Sequence, residues 1–128
     1  MGISLCMIVK NEEDWIAGAV ESVRSIVNEV IIVDTGSTDS TPDRIRALGA
    51  RAISLKWSDS FAHARNISLA EARESWILVL DADERISVRD LTYIKDAVER
   101  GPADGYHLIQ RNYVSGNQMF GWAANTDD

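Results

Sequence analysis

Trp76-Ile77-Leu78-Val79-Leu80-Asp81-Ala82-Asp83-Glu84 is the stretch of this 128-residue chain that decides its fold class. Five apolar residues run into two carboxylates spaced one apart, with a third directly behind. An uninterrupted apolar run of this length suits a strand buried on both faces, as in a parallel sheet. Acidic side chains at the carboxyl end of such a strand stand where open α/β sheets bind their ligands. On an extended backbone Asp81 and Asp83 point the same way, because side chains alternate with period 2. Two carboxylates on one side make a hard-oxygen site for Mg²⁺ or Mn²⁺, and such an ion keeps waters and takes phosphate oxygens. The competing reading is a solvated acidic turn, since D-x-D alone is a common pattern.

The rest of the chain alternates strands and helices around this element. Ile3–Val9 reads as a strand that stops at Lys10-Asn11. Asn11 is the expected N-cap of a first helix, with Glu12, Glu13 and Asp14 in its first turn, where carboxylates suit the helix dipole. Trp15, Ile16, Ala19, Val20, Val23 and Ile26 then follow helical spacing. Val30–Val33 is a second buried strand ending at Asp34, and Thr35-Gly36-Ser37-Thr38-Asp39 is a polar turn. Thr41-Pro42-Asp43 reads as a cap with proline at the first helical position, and Gly49 closes that helix. Ala52–Leu55 is a short third strand. Ser58, Asp59 or Ser60 caps a helix over Phe61–Glu74, and the strand Trp76–Leu80 follows. Ser87, with Asp90 three residues on, opens a helix that ends before Gly101-Pro102. Beyond Gly105, Tyr106–Val114 alternates loosely, Ser115-Gly116-Asn117 is a turn signal and Met119–Trp122 is a returning strand. The repeated strand–helix alternation predicts an α/β domain with right-handed crossovers and a mainly parallel sheet, one domain over 1–128.

Composition narrows the function. A formal net charge of −7 argues against a nucleic-acid groove, which needs a basic stripe. The single cysteine, Cys6, rules out an internal disulfide, suits a reducing compartment and reads as a small buried hydrophobe. No apolar run is long enough for a transmembrane segment, and Ile3–Val9 is too short for a signal-peptide core, so the sequence reads as cytoplasmic.

Three strands end in polar clusters: Lys10-Asn11-Glu12, Asp34-Thr35-Gly36-Ser37 and Asp81-Ala82-Asp83. In a parallel sheet all three ends lie along one edge, which points to a ligand crevice there. Asp34-Thr35-Gly36-Ser37 suits a nucleoside: a carboxylate accepts bonds from ribose hydroxyls or a base N–H, and Gly36 lets the backbone come close. An ordinary capping turn is the other reading of those residues. Arg65 can bind a phosphate or carboxylate, though on residue chemistry alone a surface ion pair with Asp59 or Glu71 is favoured. His63 and His107 lack metal-ligand spacing. Trp57, Trp76 and Trp122 read as packing residues, with a sugar contact as the alternative for Trp122.

Taken together, these residues resemble the family 2 glycosyltransferases of GT-A fold, in particular the bacterial branch with lipopolysaccharide-core glucosyltransferases and related peptide or protein glycosyltransferases. The resemblance is carried by Ile3 to Glu12, Val33 to Asp39, Trp57 with Phe61 and Ala64-Arg65-Asn66, and Leu80 to Glu84. Tyr106, Arg111-Asn112-Tyr113 and Gly121-Trp122 match weakly. It implies a GT-A α/β/α sandwich, truncated on its C-terminal side, that binds a nucleotide-diphosphate sugar. The first strand end, Met7 to Glu12, would line the nucleotide pocket, with Met7, Lys10, Asn11 and Glu12 as its donor-binding residues. Asp34, with Thr35, Gly36 and Ser37, would meet the nucleoside, and Arg65 the base or phosphate. Asp81, with Ala82, would approach the ribose and the metal, and Asp83 would bind the divalent Mn²⁺ or Mg²⁺ that bridges the diphosphate. Many relatives carry a second acid where this chain has Thr35, a departure from the pattern.

The implied reaction is inverting, metal-assisted transfer, with UDP the favoured nucleotide, to a glycan, lipid-linked or peptide acceptor in cell-envelope or protein glycosylation. The acceptor-activating base comes, in that family, from beyond the stretch ending at Trp122, and neither Glu84, Asp127 nor Asp128 is assigned to it. The resemblance leaves room for peripheral membrane contact, and apolar surface left where the acceptor half packs would favour self-association. Two rivals stand beside the enzyme: a non-catalytic module that binds the donor without transfer, and a phospho-receiver-like domain. The latter wants an acidic pair after its first strand and a lysine after its last, whereas here the first strand ends in Lys10-Asn11.

Overall fold

The computed structural model describes residues 2–56, 60–101 and 105, together with the backbone of two strands at 111–114 and 118–121. The elements run β1 (Ile3–Val9), α1 (Ile16–Val23), β2 (Glu29–Asp34), α2 (Thr41–Ala47), β3 (Arg51–Ser54), α3 (Phe61–Glu71), β4 (Trp76–Val79), α4 (Val88–Arg100), β5 (Arg111–Val114) and β6 (Gln118–Gly121). The first four strands form one parallel sheet in the order β3-β2-β1-β4, and β5 and β6 pair as a separate antiparallel ribbon. The expected turn at 115–117, the segment Tyr106–Gln110 and Trp122 lie outside the described residues, as do Trp57, Ser58, Asp59 and the acids Asp127 and Asp128.

Strand alternation divides the sheet into two faces. Ile3, Leu5, Met7 and Val9 of β1, with Val30 and Ile32 of β2 and Leu78 of β4, pack against Ile16, Ala19, Val20 and Val23 of α1, Ile45 of α2 and Val98 of α4. The opposite side carries α3, whose Ser68 carbonyl accepts a bond from the Cys6 thiol at 3.5 Å. Burial pushes that thiol's pKa up, so Cys6 behaves as the expected small core residue. The chain thus moves outward from β1 through β2 to β3 with α1 and α2 on one side. It then returns across the other side through α3 to place β4 against β1. β1 is therefore the point where the strand order reverses, and the crevice at its carboxyl end is where such sheets take ligands.

Four local expectations need correction. β4 is not buried on both faces: Leu78 enters the core, but Ile77 and Val79, on the α3 side, are each 41% exposed. Within the described sheet β4 is an edge strand, and α3 covers β1 and β2 instead. Asn11 does not cap α1. It takes φ +54°, a left-handed conformation asparagine tolerates, and its amide oxygen accepts from the Thr38 N–H across the loop at 2.7 Å. The acids that follow lie in a turn, and α1 begins only at Ile16 with no side-chain cap, leaving Trp15 53% exposed. Ser40, not Thr41, holds the N-cap position of α2. α3 stops at Glu71 rather than Glu74, because the N–H groups of Arg73 and Glu74 are taken by Glu29 and Ser4 at the foot of the sheet. Elsewhere local signals prevail: Ser60 and Ser87 cap α3 and α4 by accepting from His63 and Asp90, and Gly49 takes φ +71° after α2.

Candidate functional site

An open cleft of about 360 Å³ lies at the carboxyl ends of β1 and β4. It is lined by Ile8, Val9, Lys10, Glu12, Thr35, Phe61, Asp81, Ala82 and Asp83. Each wall follows from the local chain. β1 delivers Lys10 and Glu12 just past its last ladder position, and β2 ends one residue before Thr35. Thr35 is buried, and both its N–H and its hydroxyl donate to the Val9 carbonyl, at 3.0 and 3.2 Å. β4 ends at Val79, so Asp81 to Glu84 is a turn rather than extended strand. The Glu84 N–H donates to the Asp81 carbonyl, and the Glu84 carboxylate accepts from the Asp81 N–H at 2.8 Å. Within that turn Ala82 faces the core while Asp81 and Asp83 are exposed on the cleft. The two carboxylates therefore share a side as expected, held by a reciprocal turn instead of strand alternation.

The electrostatics of the cleft are those of like charges held together. The Glu12 carboxyl is pushed above the ordinary range, first by burial and then by the negative charges of Asp83, Asp81 and Asp39. Among the described residues, none of Glu12, Asp81 and Asp83 makes an ion pair. Nor do any three His, Cys, Asp or Glu among the described residues stand close enough to enclose a metal ion unaided. Two exposed hard-oxygen donors without a cationic partner still fit a divalent ion of the kind that completes its shell with water and phosphate oxygens.

The sequence-derived site residues fall into two groups. Lys10, Glu12, Thr35, Asp81, Ala82 and Asp83 line the cleft together. Met7, Asn11, Asp34, Gly36, Ser37 and Arg65 do not. Met7 is wholly buried among the core residues of β1. Asp34 is 7% exposed, and one of its oxygens accepts from the N–H groups of Gly36 and Ser37, at 3.0 and 2.8 Å. That turn needs Gly36 at φ +118°, a region L-residues avoid. The Ser37 hydroxyl accepts from the Asn11 N–H at 2.9 Å, tying the β2 loop to the β1 loop. Arg65 is half-buried on α3, where its charge reaches Cys6, and Glu71 pairs with Arg51 rather than with it. Ile8 and Val9 line the cleft as part of the stretch from Met7 to Glu12, and Phe61 lines it without having been proposed as a donor contact. Phe61 is 71% exposed directly after the Ser60 cap, and an aromatic stranded at a helix start beside a polar edge was the available signal.

A parallel sheet reversing at β1, with an acidic turn after the adjacent strand, defines an α/β protein with a ligand crevice at that turn, as expected of the GT-A fold. Residues 4–125 match the model of Glycosyl transferase family 2, and the chain belongs to that family. It is 36% identical over 114 residues to a TPR repeat-containing protein of Synechococcus elongatus, a match covering 89% of this chain and 28% of that protein. It is 42% identical over 87 residues to an uncharacterized glycosyltransferase of Rickettsia typhi, covering 66% of this chain and 29% of that one. Among solved structures, the glucosyl-3-phosphoglycerate synthase of Mycobacterium tuberculosis, in complex with Mn²⁺, UDP-glucose and phosphoglyceric acid, matches with a TM-score of 0.68 at 26% identity. That match covers 90% of this chain and 45% of the synthase. The chain thus spans less than a third of the length of these two sequence relatives. Among the described residues, no helix is long and apolar enough to cross a membrane.

Proposed function

We propose that this chain binds the donor of a glycosyl transfer, a UDP-linked sugar, in the cleft between β1 and β4, and that the protein containing it passes the sugar to an acceptor. The observation that carries this reading is the gathering of Glu12, Asp81 and Asp83 at the switch point of the sheet without a cationic partner among the described residues. Asp83 and Asp81 would hold a divalent cation, Mn²⁺ or Mg²⁺, of the kind that takes its remaining oxygen ligands from water and phosphate. When bound, that ion stabilises the negative charge that grows on the leaving diphosphate. Lys10, Thr35 and Ala82 border the donor, and Glu12 accepts hydrogen bonds from its hydroxyl or N–H groups. Met7, Asn11, Asp34, Gly36 and Ser37 act from behind the cleft by shaping its two loops, and Arg65 belongs to the wider donor side. The Mn²⁺ and UDP-glucose named for the M. tuberculosis synthase support the choice of ion and nucleotide. We assign the acceptor to the glycan, lipid-linked or peptide class and the transfer to inversion, with the acceptor-activating base outside the cleft residues described above.

A thermal-shift series of nucleoside diphosphates with and without Mn²⁺ tests the reading. A ligand that binds only the folded state raises its stability by RT ln(1 + [L]/Kd), about 2.7 kcal/mol at a hundredfold excess over Kd. UDP with Mn²⁺ is expected to raise the melting temperature more than UDP or Mn²⁺ alone. Equal shifts with and without the ion would remove the metal from the reading, and no shift with any nucleotide would remove the donor.

A further inference from the structure

We propose that Thr41 is a positioning residue: with Asp39 it fixes the peptide that carries Glu12, and so holds the Glu12 carboxylate on the donor cleft. This inference rests on the proposed donor reading and adds to it the first residue of α2. Thr41 opens α2, and its side chain is completely buried although it is polar. Its hydroxyl accepts from the Glu12 N–H at 2.9 Å. That contact supplies a proton already, so the hydroxyl's own proton is free to go elsewhere, and it goes to Asp39 Oδ1 at 2.5 Å. The direction of the relay is therefore fixed by its end groups, an amide donor on one side and a carboxylate acceptor on the other.

Asp39 strengthens the arrangement from both of its oxygens. Oδ1 also accepts from the Thr41 N–H at 2.9 Å, and Oδ2 accepts from the Glu13 N–H at 3.4 Å. In return the Glu13 carboxylate accepts from the Ser40 N–H at 3.0 Å. Two consecutive peptide N–H groups after β1 are thus held by Asp39, in the loop after β2, and by Thr41, the first residue of α2. The Glu12 carbonyl is engaged as well, accepting from the N–H groups of Trp15 and Ile16 at 3.1 and 3.0 Å. The backbone of Glu12 is consequently fixed on both sides, while its carboxylate stays on the cleft facing Asp81 and Asp83. A charged group held where like charges repel it needs this kind of support, because left to itself it would turn toward solvent.

The test is a double-mutant cycle of Thr41→Val and Glu12→Ala, read as UDP affinity with Mn²⁺ by calorimetry. Thr41→Val keeps the side-chain shape and removes the hydroxyl. It is expected to weaken binding roughly tenfold, the lower end of what loss of an outer supporting partner costs. Thr41→Ser, which keeps the hydroxyl, is expected to restore most of the affinity that Thr41→Val loses. In the Glu12→Ala background, Thr41→Val is expected to cost nothing further, because it acts through Glu12. Additive losses, or full affinity in Thr41→Val, overturn the inference while leaving the donor reading standing. Failure of the unsubstituted chain to bind UDP would instead overturn the donor reading. A second measurement does not depend on the variant folding: amide hydrogen exchange at Glu12 in the unsubstituted chain must be slowed, and exchange at the rate of an unprotected peptide overturns the relay.

Discussion

The two ends of the four-stranded sheet carry the same residue types and use them in opposite ways. At the amino end, Glu29 of β2 accepts from the Ser4 hydroxyl and the Arg73 N–H, both at 2.5 Å, and Arg51 lies 3.9 Å away. Arg51 also pairs with Glu71, and the Ser4 hydroxyl accepts from the Glu74 N–H. At the carboxyl end Glu12, Asp81 and Asp83 line one cleft with no ion pair among the described residues. The carboxyl shifts follow suit. Burial works against ionisation of Glu29, but the Ser4 and Arg73 hydrogen bonds and the charges of Arg51 and Arg73 outweigh it and hold its pKa below the ordinary range. Burial and like charge hold that of Glu12 above it. The amino end uses its charges to close the fold, whereas the carboxyl end keeps them uncompensated, as a site for a cation and a diphosphate requires.

The contrast breaks most sharply at Asp83. Asp83→Ala is expected to abolish Mn²⁺-dependent UDP binding, a larger loss than the roughly 10–100-fold cost of removing an outer-sphere partner. The melting temperature without ligand should hardly change, because the Asp83 side chain is exposed and unpaired among the described residues. Unchanged calorimetric affinity would show that the acidic turn is not where the ion sits.

At the other end the same kind of truncation should leave binding alone and cost stability. Glu29→Ala strands the Ser4 hydroxyl and the Arg73 N–H and is expected to lower unfolding free energy by about 1–3 kcal/mol in urea titrations. The pH dependence has a definite sign. A carboxyl whose folded pKa is depressed contributes stability above its unfolded pKa, and loses it as pH falls through the folded value. Melting temperature should therefore fall on acidification through and below the ordinary glutamate range, and fall less in Glu29→Ala. Parallel acid profiles for the two proteins would remove Glu29 from the account.

The smallest effect has the opposite sign. A carboxyl with a raised folded pKa contributes stability that is fully present below the unfolded value and is lost as pH rises through the folded one. Glu12→Gln removes that charge and should stabilise the ligand-free protein at neutral pH. Solvent screening at this partly exposed position keeps the gain within about 0.5 kcal/mol. The gain should vanish in acid, where both side chains are neutral, and a loss of stability at neutral pH would contradict the repulsion described for the cleft.

Much of this was legible from residues close in sequence. β1 begins and ends where the run Ile3–Val9 does, because a seven-residue, mainly apolar stretch ended by Lys10-Asn11 has strand length and is too short for a buried helix. The caps at Ser60 and Ser87 follow from a side-chain oxygen three residues ahead of the N–H it meets, a purely local contact. The acids after Leu80 were recognisable as cleft residues because apolar strand and polar turn meet there. Asn11 was not legible. The same residue type serves as a helix cap or as a left-handed residue, and its partner Thr38 lies 27 positions away. The one-sided burial of β4 was hidden for a related reason: an apolar run says that a strand is buried, not which helix covers it.

By itself the sequence determined the alternation of strands and helices, the serine caps of α3 and α4 and the placing of acids after strands, all governed by backbone and side-chain chemistry within a few residues. Tertiary structure decided the strand order, and with it the meeting of Glu12 with Asp81 and Asp83 beside Thr35. It also decided that a buried hydroxyl on α2 would hold the β1 loop in place. Those contacts join segments that only the packing of α1 and α3 on opposite faces brings together, and no local pattern encodes which loops will touch.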